Sequence, residues 1–376
     1  MKILITGANG FIGRNLKAEL FNNKYKDLEP LYFDRDTDPN LLETYCSECD
    51  FVVHLAGINR PQNEEEFMEG NFGFTSTLLN TLKKYKNRCP ILVTSSIQAV
   101  LDNPYGKSKK AGEDLIFEYG KEENVKVDVY RLPNVFGKWG RPNYNSAICT
   151  FAHNIANDLP IQVNDRNHSM TIVYIDDVVK EIMRAIYGKE NRKDDQYCYV
   201  EPVIKTTLGE IADILYSFKN YRDGLKVPNN NSLLERDLYA TYLSYIPATK
   251  MSYPLNKHED ARGSFTEIIR TVGQGQFSVN ITHPGITKGN HFHHTKHEKY
   301  LVVAGKASIQ LRKVATDEII EYIVSGDNLE VVDIPVGYTH SIKNIGTDEL
   351  ITFMWANEPF DPENPDTIAM EVNKNE

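Results

Sequence analysis

A serine, a tyrosine and a lysine stand at a spacing that suits the reduction of a carbonyl group. Tyr105 and Lys109 are four residues apart, so they share one face of a helix near its start, and Ser96 precedes them at the end of an apolar run. A carbonyl that receives hydride becomes an alkoxide and needs a proton, which a tyrosine with a pKa near ~10 can supply. A lysine ammonium would stabilise the phenolate left behind, while the serine hydroxyl orients the carbonyl. Two alternatives stay open: the pair is a chance feature of a solvated helix, and Ser95 and Ser96 cap a strand end.

Glycines near residue 1 form a second pattern, which suits the binding of a pyrophosphate. Residues 3–5 are an apolar run typical of a buried parallel strand, and residues 14–21 have the pattern of a helix. The glycines between them let the backbone approach phosphates, and the free N–H groups of the first helical turn would point at these groups. The residues expected at the cofactor are Gly7, Gly10, Phe11, Ile12 and Gly13.

The choice between NAD and NADP depends on two neighbouring residues of opposite charge. Asp34 follows the predicted second strand, about 20 residues after the glycine turn, where an acidic residue commonly binds a ribose. Arg35 follows directly and is suited to a 2′-phosphate. Asp34 favours NAD and Arg35 favours NADP, and the alternative is that both belong to a solvated charged loop. We expect NADPH.

The elements that must position these groups alternate between strands and helices as far as residue 246. Apolar runs at 50–57 and 91–94 are predicted strands, and the second delivers Ser96 to its carboxyl end, the edge at which open α/β sheets bind ligands. Asn103 is a good N-cap and Pro104 a good first residue for the helix that carries Tyr105. The sequence therefore predicts a Rossmann-type, doubly wound parallel sheet over residues 1–246.

After a proline-containing linker at 247–256 the pattern changes to short alternating strands. Such strands, with turn residues between them, indicate an all-β jelly roll or barrel, which we place at residues 254–376. The predicted strands are Phe265 to Arg270, Gln276 to Ile281, Lys299 to Val303, Ala307 to Arg312, Glu318 to Val324 and Leu350 to Trp355.

Bulk composition excludes several classes of function. The chain has 376 residues, of which 41% are hydrophobic, and a formal net charge of −10, which argues against a nucleic-acid partner. No apolar run approaches the ~20 residues of a membrane span, and the sequence enters a strand without a signal peptide. Five cysteines fit reduced thiols and a cytoplasmic location, and the Cys46–Cys49 pair is interpreted as incidental.

The first half of the chain resembles the extended short-chain dehydrogenase/reductase family. TGANGFIG is similar to its glycine turn, and DFVVHLAG is similar to the segment that passes beneath the cofactor, which implies that Leu55, Ala56 and Gly57 lie there. VYRLPNVFG resembles a further family segment. By this resemblance Asn134 contacts the nucleotide sugar and Arg141 its diphosphate, although both residues also fit ordinary loops.

The second half resembles the cupins. Two histidine-containing segments fit the two cupin motifs, and four side chains in them suit zinc or another first-row divalent ion. The alternative is a solvated histidine-rich loop, since further histidines lie nearby. DARGSFTE and GNHF also resemble segments of cupin-type epimerases that act on nucleotide-linked 4-keto-6-deoxy sugars. The predicted metal ligands are His291, His293, Glu298 and His340.

Both halves together resemble the bifunctional capsular polysaccharide enzymes of the CapF/WbjC type over nearly the full length. The resemblance implies a UDP-linked 4-keto-6-deoxy-N-acetyl sugar as substrate, epimerisation of C3 in the cupin, and NADPH-dependent reduction of C4 towards UDP-N-acetyl-L-fucosamine. It also implies a homodimer. Two rivals remain: a one-step reductase with a passive cupin used for dimerisation or ligand binding, and a non-catalytic nucleotide sensor.

Overall fold

The chain folds into two compact units. The computed structural model describes residues 1–61, 63–228, 231–271, 273, 275–363 and 365–373. The first unit comprises Met1–Tyr216 and Asp237–Pro247, and the second comprises Ser217–Arg236 and Ala248–Glu376. The chain therefore passes between the units three times, at 216/217, 236/237 and 247/248.

A parallel sheet forms the centre of the first unit. Its six strands stand in the order β2-β1-β3-β4-β5-β8, and each neighbouring pair is parallel. A smaller sheet has the order β6-β7-β9. The strands are β1 (Lys2–Thr6), β2 (Glu29–Phe33), β3 (Phe51–His54), β4 (Ile91–Ser96), β5 (Val127–Leu132), β6 (Asn134–Phe136), β7 (Ser169–Tyr174), β8 (Tyr197–Cys198) and β9 (Ile204–Thr207).

Helices cover both faces of this sheet. Ile3 and Ile5 of β1 pack into a core with residues 178–186, whereas Leu4 between them packs into a second core with residues 78–82. Because strand side chains alternate, burial on both faces explains the continuous apolar run. The helices are α1 (Phe11–Leu20), α2 (Asn40–Glu48), α3 (Glu65–Met68), α4 (Phe74–Lys84), α5 (Pro104–Glu123), α6 (Ala147–Ala156), α7 (Ile175–Ile186), α8 (Leu208–Lys219) and α9 (Leu233–Leu243).

The doubly wound parallel sheet expected from the sequence is confirmed, with differences at element ends. The first helix begins at Phe11 rather than residue 14, because the third glycine packs inside its first turn. β7 ends at Tyr174, and Ile175–Ile186 form α7. The acidic pair Asp176 and Asp177 then occupies the first turn of that helix, where its dipole favours negative charge.

The second unit is rich in β-structure, and all six strands predicted there are confirmed. One sheet has the order β10-β12-β13-β20-β15-β18, with β11 paired to β12, and the other has the order β17-β16-β19-β14-β21. The strands are β10 (Lys226–Val227), β11 (Lys257–Asp260), β12 (Gly263–Thr271), β13 (Gly275–Thr282), β14 (Thr287–Phe292), β15 (Glu298–Ala304), β16 (Lys306–Lys313), β17 (Ile319–Ser325), β18 (Val331–Ile334), β19 (Tyr338–Asn344), β20 (Leu350–Ala356) and β21 (Ile368–Ala369).

An apolar core lies between the two sheets of the second unit. Val302 and Leu350 of the first sheet and Ile309 and Ile342 of the second belong to the same buried cluster. The paired sheets thus share one interior, which is the arrangement that buries one face of each antiparallel sheet. Among the helices that the structure describes, none combines the length and apolar character needed to cross a membrane.

Candidate functional site

The glycine turn brings backbone into contact with backbone at the carboxyl end of β1. Gly7 has φ +70°, and a Cβ at this residue would lie 2.7 Å from the backbone nitrogen of Ala56. A Cβ on Gly13 would lie 2.4 Å from the carbonyl oxygen of Gly7, so α1 packs directly against the turn. Gly10 is the N-cap of α1 and provides no side-chain cap. The first-turn N–H groups of Phe11 and Ile12 therefore form the kind of helix N-terminus that binds phosphate.

Asp34 and Arg35 differ in their contacts: the Asp34 carboxylate has protein partners, whereas the Arg35 side chain is exposed. Asp34 Oδ2 accepts the backbone N–H of Asn9 at 2.6 Å, and Oδ1 accepts that of Arg35 at 3.0 Å. Oδ2 of Asp34 thereby ties the end of β2 to the glycine turn, while Oδ1 is occupied by a local bond. Arg35 is exposed beside it. Its guanidinium is therefore available to a phosphate at this edge.

Tyr105, Lys109 and Ser96 meet at the start of α5. The side chain of Asn103 accepts the Gly106 N–H at 2.7 Å, which caps the helix as the sequence predicts. Burial raises the pKa of Tyr105, and a hydrogen bond with Ser96 opposes that shift. The two side chains are thus in contact despite being only nine residues apart in sequence. Burial also lowers the pKa of Lys109 to about 8.

Gly57 lets the lysine approach the chain segment that follows β3. A Cβ at Gly57 would lie 3.1 Å from Lys109 Nζ and 2.7 Å from Asn71 Oδ1. Leu55 is held in the same segment by a bond from its N–H to the Thr6 carbonyl, 3.1 Å long. The structure therefore brings the predicted residues Leu55, Ala56 and Gly57 beside both the glycine turn and Lys109. Their contacts with a cofactor stay a prediction.

A buried carboxylate that the sequence analysis missed lies one helical turn beyond Lys109. The Glu113 carboxylate accepts a hydrogen bond from Ser95 Oγ at 2.6 Å. It also accepts two from the Arg131 guanidinium, at 2.9 and 2.6 Å. Tyr197 also donates to it, at 3.1 Å. The negative charge of Glu113 raises the pKa of Lys109 against the larger effect of burial. The sequence signal that could have revealed Glu113 is its spacing, because residues 105, 109 and 113 are four apart and share one face of α5.

His54 forms a second polar network, beneath the glycine turn. Its Nδ1 is 2.7 Å from Thr6 Oγ1, and its Nε2 is 2.9 Å from Thr75 Oγ1. Because the Thr75 hydroxyl donates to a backbone carbonyl, it accepts from His54, so the ring carries its proton on Nε2. Burial, with a smaller effect of Lys109, lowers the pKa of His54 to about 3. A neutral imidazole therefore links β1, β3 and α4.

The two predicted substrate contacts have protein partners. Asn134 Nδ2 donates to the Thr171 carbonyl at 3.2 Å, and the Arg141 guanidinium lies 5.1 Å from the centre of the Tyr144 ring. Arg14 holds the loop that leads to Arg141, since it donates to the Trp139 carbonyl at 2.7 Å. This loop therefore lies beside α1. The roles of Asn134 and Arg141 at a substrate stay predictions.

In the second unit the four predicted metal ligands come together. His291, His293, Glu298 and His340 each offer one ligand atom, and these atoms lie within 4.8 Å of one another. His293 lies just beyond β14, which ends at Phe292, so it belongs to the turn that follows the strand. The four residues come from β14, β15 and β19 and the turn after β14.

The donor atoms of this cluster fit a cation. His293 Nε2 and His340 Nδ1 are buried and have no hydrogen-bond partner within the described part of the chain. Burial and the neighbouring imidazoles lower the pKa of His291 to about 4, which leaves it neutral, the form that binds metals. Glu298 Oε2 is 3.3 Å from His340 Nε2 and 3.7 Å from His293 Nε2. Three imidazoles and one carboxylate suit zinc and similar divalent ions.

Tyr300, which the sequence analysis did not single out, contacts two of these residues. Its hydroxyl donates to Glu298 Oε2 at 3.0 Å and is 3.2 Å from His340 Nε2. A cavity of about 380 Å³ adjoins the cluster and is lined by His291, Tyr300 and Lys288, among others. Lys288 Nζ donates to Asn280 Oδ1 at 2.7 Å, and burial lowers its pKa. The cavity therefore carries polar groups on a wall that also includes Phe265, Ile342 and Met354.

Comparison with known proteins gives a match for each half of the chain. Residues 3–197 match the description "NAD dependent epimerase/dehydratase family", and residues 258–368 match "Polysaccharide biosynthesis C-terminal domain". The chain is 45% identical over 374 residues to a Pseudomonas aeruginosa protein described as UDP-2-acetamido-2,6-beta-L-arabino-hexul-4-ose reductase, with 100% of both chains covered.

Solved structures show the same relationship. The capsular polysaccharide assembling protein CapF from Staphylococcus aureus has 53% sequence identity and a TM-score of 0.92, covering 99% of this chain and 100% of that one. A Pseudomonas aeruginosa protein, RMD complexed with NADPH, has 20% identity and a TM-score of 0.53 and covers 66% of this chain and 100% of its own. The second similarity is one of fold alone.

Proposed function

Because the chain belongs to the NAD dependent epimerase/dehydratase family, we propose that it is a bifunctional enzyme of capsule or O-antigen synthesis that acts on a UDP-linked sugar. Residues 1–246 form an NADPH-dependent reductase and residues 254–376 a metal-binding cupin that epimerises C3. The observation that carries the proposal is the presence, in one chain, of the Ser96–Tyr105–Lys109 group and of the His–Glu cluster.

The reductase half uses the groups at the start of α5. Bound NADPH supplies the hydride that reduces the C4 ketone. Ser96 orients the ketone oxygen, Tyr105 donates the proton to it, and the Lys109 ammonium stabilises the phenolate. Because burial keeps the pKa of Tyr105 raised, its phenol is protonated and ready to donate at neutral pH. These residues are the proposed catalytic residues of C4 reduction.

The proposed cofactor site combines the glycine turn with the two charged residues after β2. The first turn of α1, capped by Gly10, faces the pyrophosphate, and Leu55, Ala56 and Gly57 lie beneath the dinucleotide. Asp34 is engaged by two backbone N–H groups, so the exposed Arg35 is the cation that selects NADPH through its 2′-phosphate. Asn134 and Arg141 are proposed to bind the nucleotide-sugar.

The proposed epimerase half uses the second unit. His291, His293, Glu298 and His340 would hold the metal, and a bound divalent ion would supply Lewis acidity at the 4-keto oxygen. A ketone at C4 makes the C3 proton acidic, so a base that removes this proton and a donor that returns one on the other face invert C3. The adjoining cavity of about 380 Å³ is the proposed place for the sugar.

The substrate proposal is supported by what the relatives are known to be. The Pseudomonas aeruginosa relative is described as a UDP-2-acetamido-2,6-beta-L-arabino-hexul-4-ose reductase, and the structural relative as a capsular polysaccharide assembling protein. By analogy, this chain would convert a UDP-2-acetamido-2,6-dideoxy-4-hexulose into UDP-2-acetamido-2,6-dideoxy-L-talose. We also propose a homodimer in the cytoplasm. Reduction would draw the reversible epimerisation forward.

NMR of the sugar incubated in deuterated water, with and without NADPH, tests both chemistries at once. The proposal expects deuterium at C3 without NADPH, and a C4 alcohol with deuterium at C3 when NADPH is added. The alternative is a one-step NAD(P)-dependent reductase with a non-catalytic cupin, which the name "reductase" of the Pseudomonas relative favours. A C4 alcohol that keeps its original C3 hydrogen would establish that alternative.

A further inference from the structure

A short segment distant in sequence runs along the metal ligands of the second unit. We call residues 366–372 the strap. Its strand β21 pairs with β14, placing Ala369 opposite His291 and Ile368 opposite Phe292. Asp366 contacts residues more than 70 positions away, so these contacts cannot be predicted from a local sequence pattern. Several contacts of the strap end on a ligand or on a residue next to one.

The strap fixes the orientation of His293. The backbone carbonyl of Asp366 accepts a hydrogen bond from His293 Nδ1. Since a carbonyl can only accept, the proton of the neutral ring is on Nδ1, and the lone pair is on Nε2. Nε2 is the buried atom that lacks a hydrogen-bond partner in the described part of the chain, and its residue belongs to the cluster. A carbonyl behind a metal-binding imidazole commonly plays this part.

The carboxylate of Asp366 organises the turn between two ligands. It accepts the backbone N–H groups of His294, Thr295 and Lys296, at 2.7 to 3.0 Å, and the Thr295 hydroxyl at 3.0 Å. These residues connect His293 to Glu298. One side chain therefore satisfies consecutive donors and sets the path of the chain from the second ligand to the third.

On the other side of His291 the strap supports an irregular backbone. Asn290 has φ +57°, in the left-handed region, and the pairing of β14 with β19 shifts register between Gly289 and His291. The N–H of Met370 donates to the Asn290 carbonyl at 2.9 Å, and that of Val372 donates to Asn290 Oδ1 at 3.2 Å. The bulge that turns His291 towards the cluster is thus held by the strap.

A buried arginine anchors the far end of the strap. Arg312 is only 2% exposed, and its Nε and Nη2 donate to the carbonyls of Val372 and Glu371, both at 2.7 Å. The Thr339 hydroxyl, next to the ligand His340, donates to the Met370 carbonyl. A guanidinium committed to backbone carbonyls in the interior is costly to displace, so the strap stays fixed.

We propose that the strap is a positioning element for the metal centre, and that Asp366 is its principal positioning residue. It orients His293 through its carbonyl and the chain before Glu298 through its carboxylate. This inference rests on the proposed function, because it takes the His–Glu cluster as a metal site. Loss of such outer contacts typically weakens metal binding 10- to 100-fold.

The test measures metal affinity in the full chain rather than activity. Asp366→Asn keeps the size of the side chain but places an NH₂ group against backbone donors. Zn²⁺ affinity is measured by competition with a chromophoric chelator, and the absorption spectrum of the Co²⁺-loaded protein reports the ligand geometry. The matched control is Asp361→Asn, because Asp361 accepts a local bond from the Glu363 N–H at 2.9 Å and lies outside the His–Glu cluster.

We expect Zn²⁺ affinity to fall 10- to 100-fold in Asp366→Asn with an altered Co²⁺ spectrum, and neither to change in Asp361→Asn. If the wild-type chain binds metal and Asp366→Asn leaves affinity and spectrum unchanged, the positioning role of the strap is refuted. The proposed function would then still stand. A wild-type chain that binds neither ion would instead refute the metal centre. If Asp366→Asn fails to fold, Asp366→Glu keeps the charge but moves the carboxylate by one methylene from the N–H groups of residues 294–296, and unchanged affinity and spectrum in that variant overturn the inference.

Discussion

Lys109 follows Tyr105 by one turn of α5, and its Nζ lies 6.0 Å from the centre of the Tyr105 ring. At this separation the ammonium acts on the phenol through its charge. An opposite charge stabilises a phenolate, so Lys109 eases the departure of the Tyr105 proton. Ser96 contacts the same phenol, and Gly57 provides the space in which Lys109 sits. This relationship makes the reductase half open to direct tests.

Removal of the Tyr105 hydroxyl should abolish reduction and leave cofactor binding intact. We expect Tyr105→Phe to oxidise NADPH at least ~100-fold more slowly, the scale of general acid catalysis, with an unchanged Kd for NADPH. The same variant should still exchange the C3 proton in deuterated water. Stopped-flow absorbance of NADPH gives the rate. Tyr85→Phe, which alters an exposed tyrosine bonded to Glu43, is the control; reduction at the parent rate by Tyr105→Phe would remove the assigned role.

The exposed Arg35 guanidinium should determine cofactor preference. Arg35→Ala is expected to weaken NADPH binding by at least ~10-fold and NADH binding little, because only NADPH carries the 2′-phosphate that an arginine holds by charge-assisted hydrogen bonds. Fluorescence titration with each cofactor measures both Kd values. Arg88→Ala, which removes another exposed guanidinium, serves as the control. Equal effects on the two cofactors would indicate that Asp34 sets the choice and that the cofactor is NAD.

Deprotonation of Lys109 should cause the alkaline limb of the pH–rate profile, that is, the fall in the rate of reduction at high pH. Because burial lowers the pKa of Lys109 to about 8, this side chain is charged below that pH and loses its charge above it. Burial raises the pKa of Tyr105, so the phenol stays protonated over the same range. We therefore expect kcat/KM to fall above pH about 8. Rates measured in overlapping buffers on both sides of that pH check the limb.

Two substitutions test that assignment in opposite directions. Lys109→Arg keeps its charge at all these pH values and should move the limb upwards, whereas Lys110→Arg, at a neighbouring lysine that pairs with Asp114, should leave it in place. Glu113→Gln removes the negative charge that raises the Lys109 pKa, so the limb should move to lower pH. If neither Lys109→Arg nor Glu113→Gln shifts the pH at which kcat/KM falls, a group other than Lys109 must cause the fall.

The two chemistries should separate when a metal ligand is removed. His291→Ala is expected to lose metal and C3 exchange while reduction of an already epimerised 4-keto sugar continues, because loss of a ligand loosens the site. Metal content by atomic absorption and both steady-state rates give the result. His297→Ala, which alters an exposed histidine outside the cluster, is the control.

Either of two other outcomes for His291→Ala would change the conclusion. Retained metal together with retained C3 exchange would make the cupin pattern a coincidence of a histidine-rich loop. Loss of C4 reduction as well would make the second unit a support for the reductase, and the one-step alternative would then hold.

The sequence predicted the elements whose signals are local. Gly7, Gly10 and Gly13 stand within one short segment, and Asn103 and Pro104 mark the start of α5 directly, so both features could be placed from neighbouring residues. The four cluster residues also come from two compact segments. Their assembly needs the pairing of β14 with β19 and the packing of their sheet against the sheet that contains β15.

What the sequence did not predict depends on contacts between distant residues. His54 is linked to Thr6 and Thr75, 48 and 21 positions away. Asp366 reaches His293 across 73 positions. The bulge at Asn290, which ends the simple alternation before His293, is stabilised by the strap rather than by its own neighbours. Such contacts are set by tertiary packing, and no pattern of period 2 or 3.6 encodes them.

The threefold passage of the chain between its units limits how the molecule can be dissected. Residues 217–236 belong to the second unit, where β10 pairs with Arg270 and Thr271 of β12 and the Arg270 N–H donates to Leu225. A fragment cut after residue 247 would keep β10 but lose its partner strand, and a fragment starting at 248 would leave Arg270 and Thr271 of β12 without their partner. A single cut therefore leaves both fragments without a strand partner that the whole chain provides. The two activities should accordingly be tested with point variants of the full-length chain rather than with fragments.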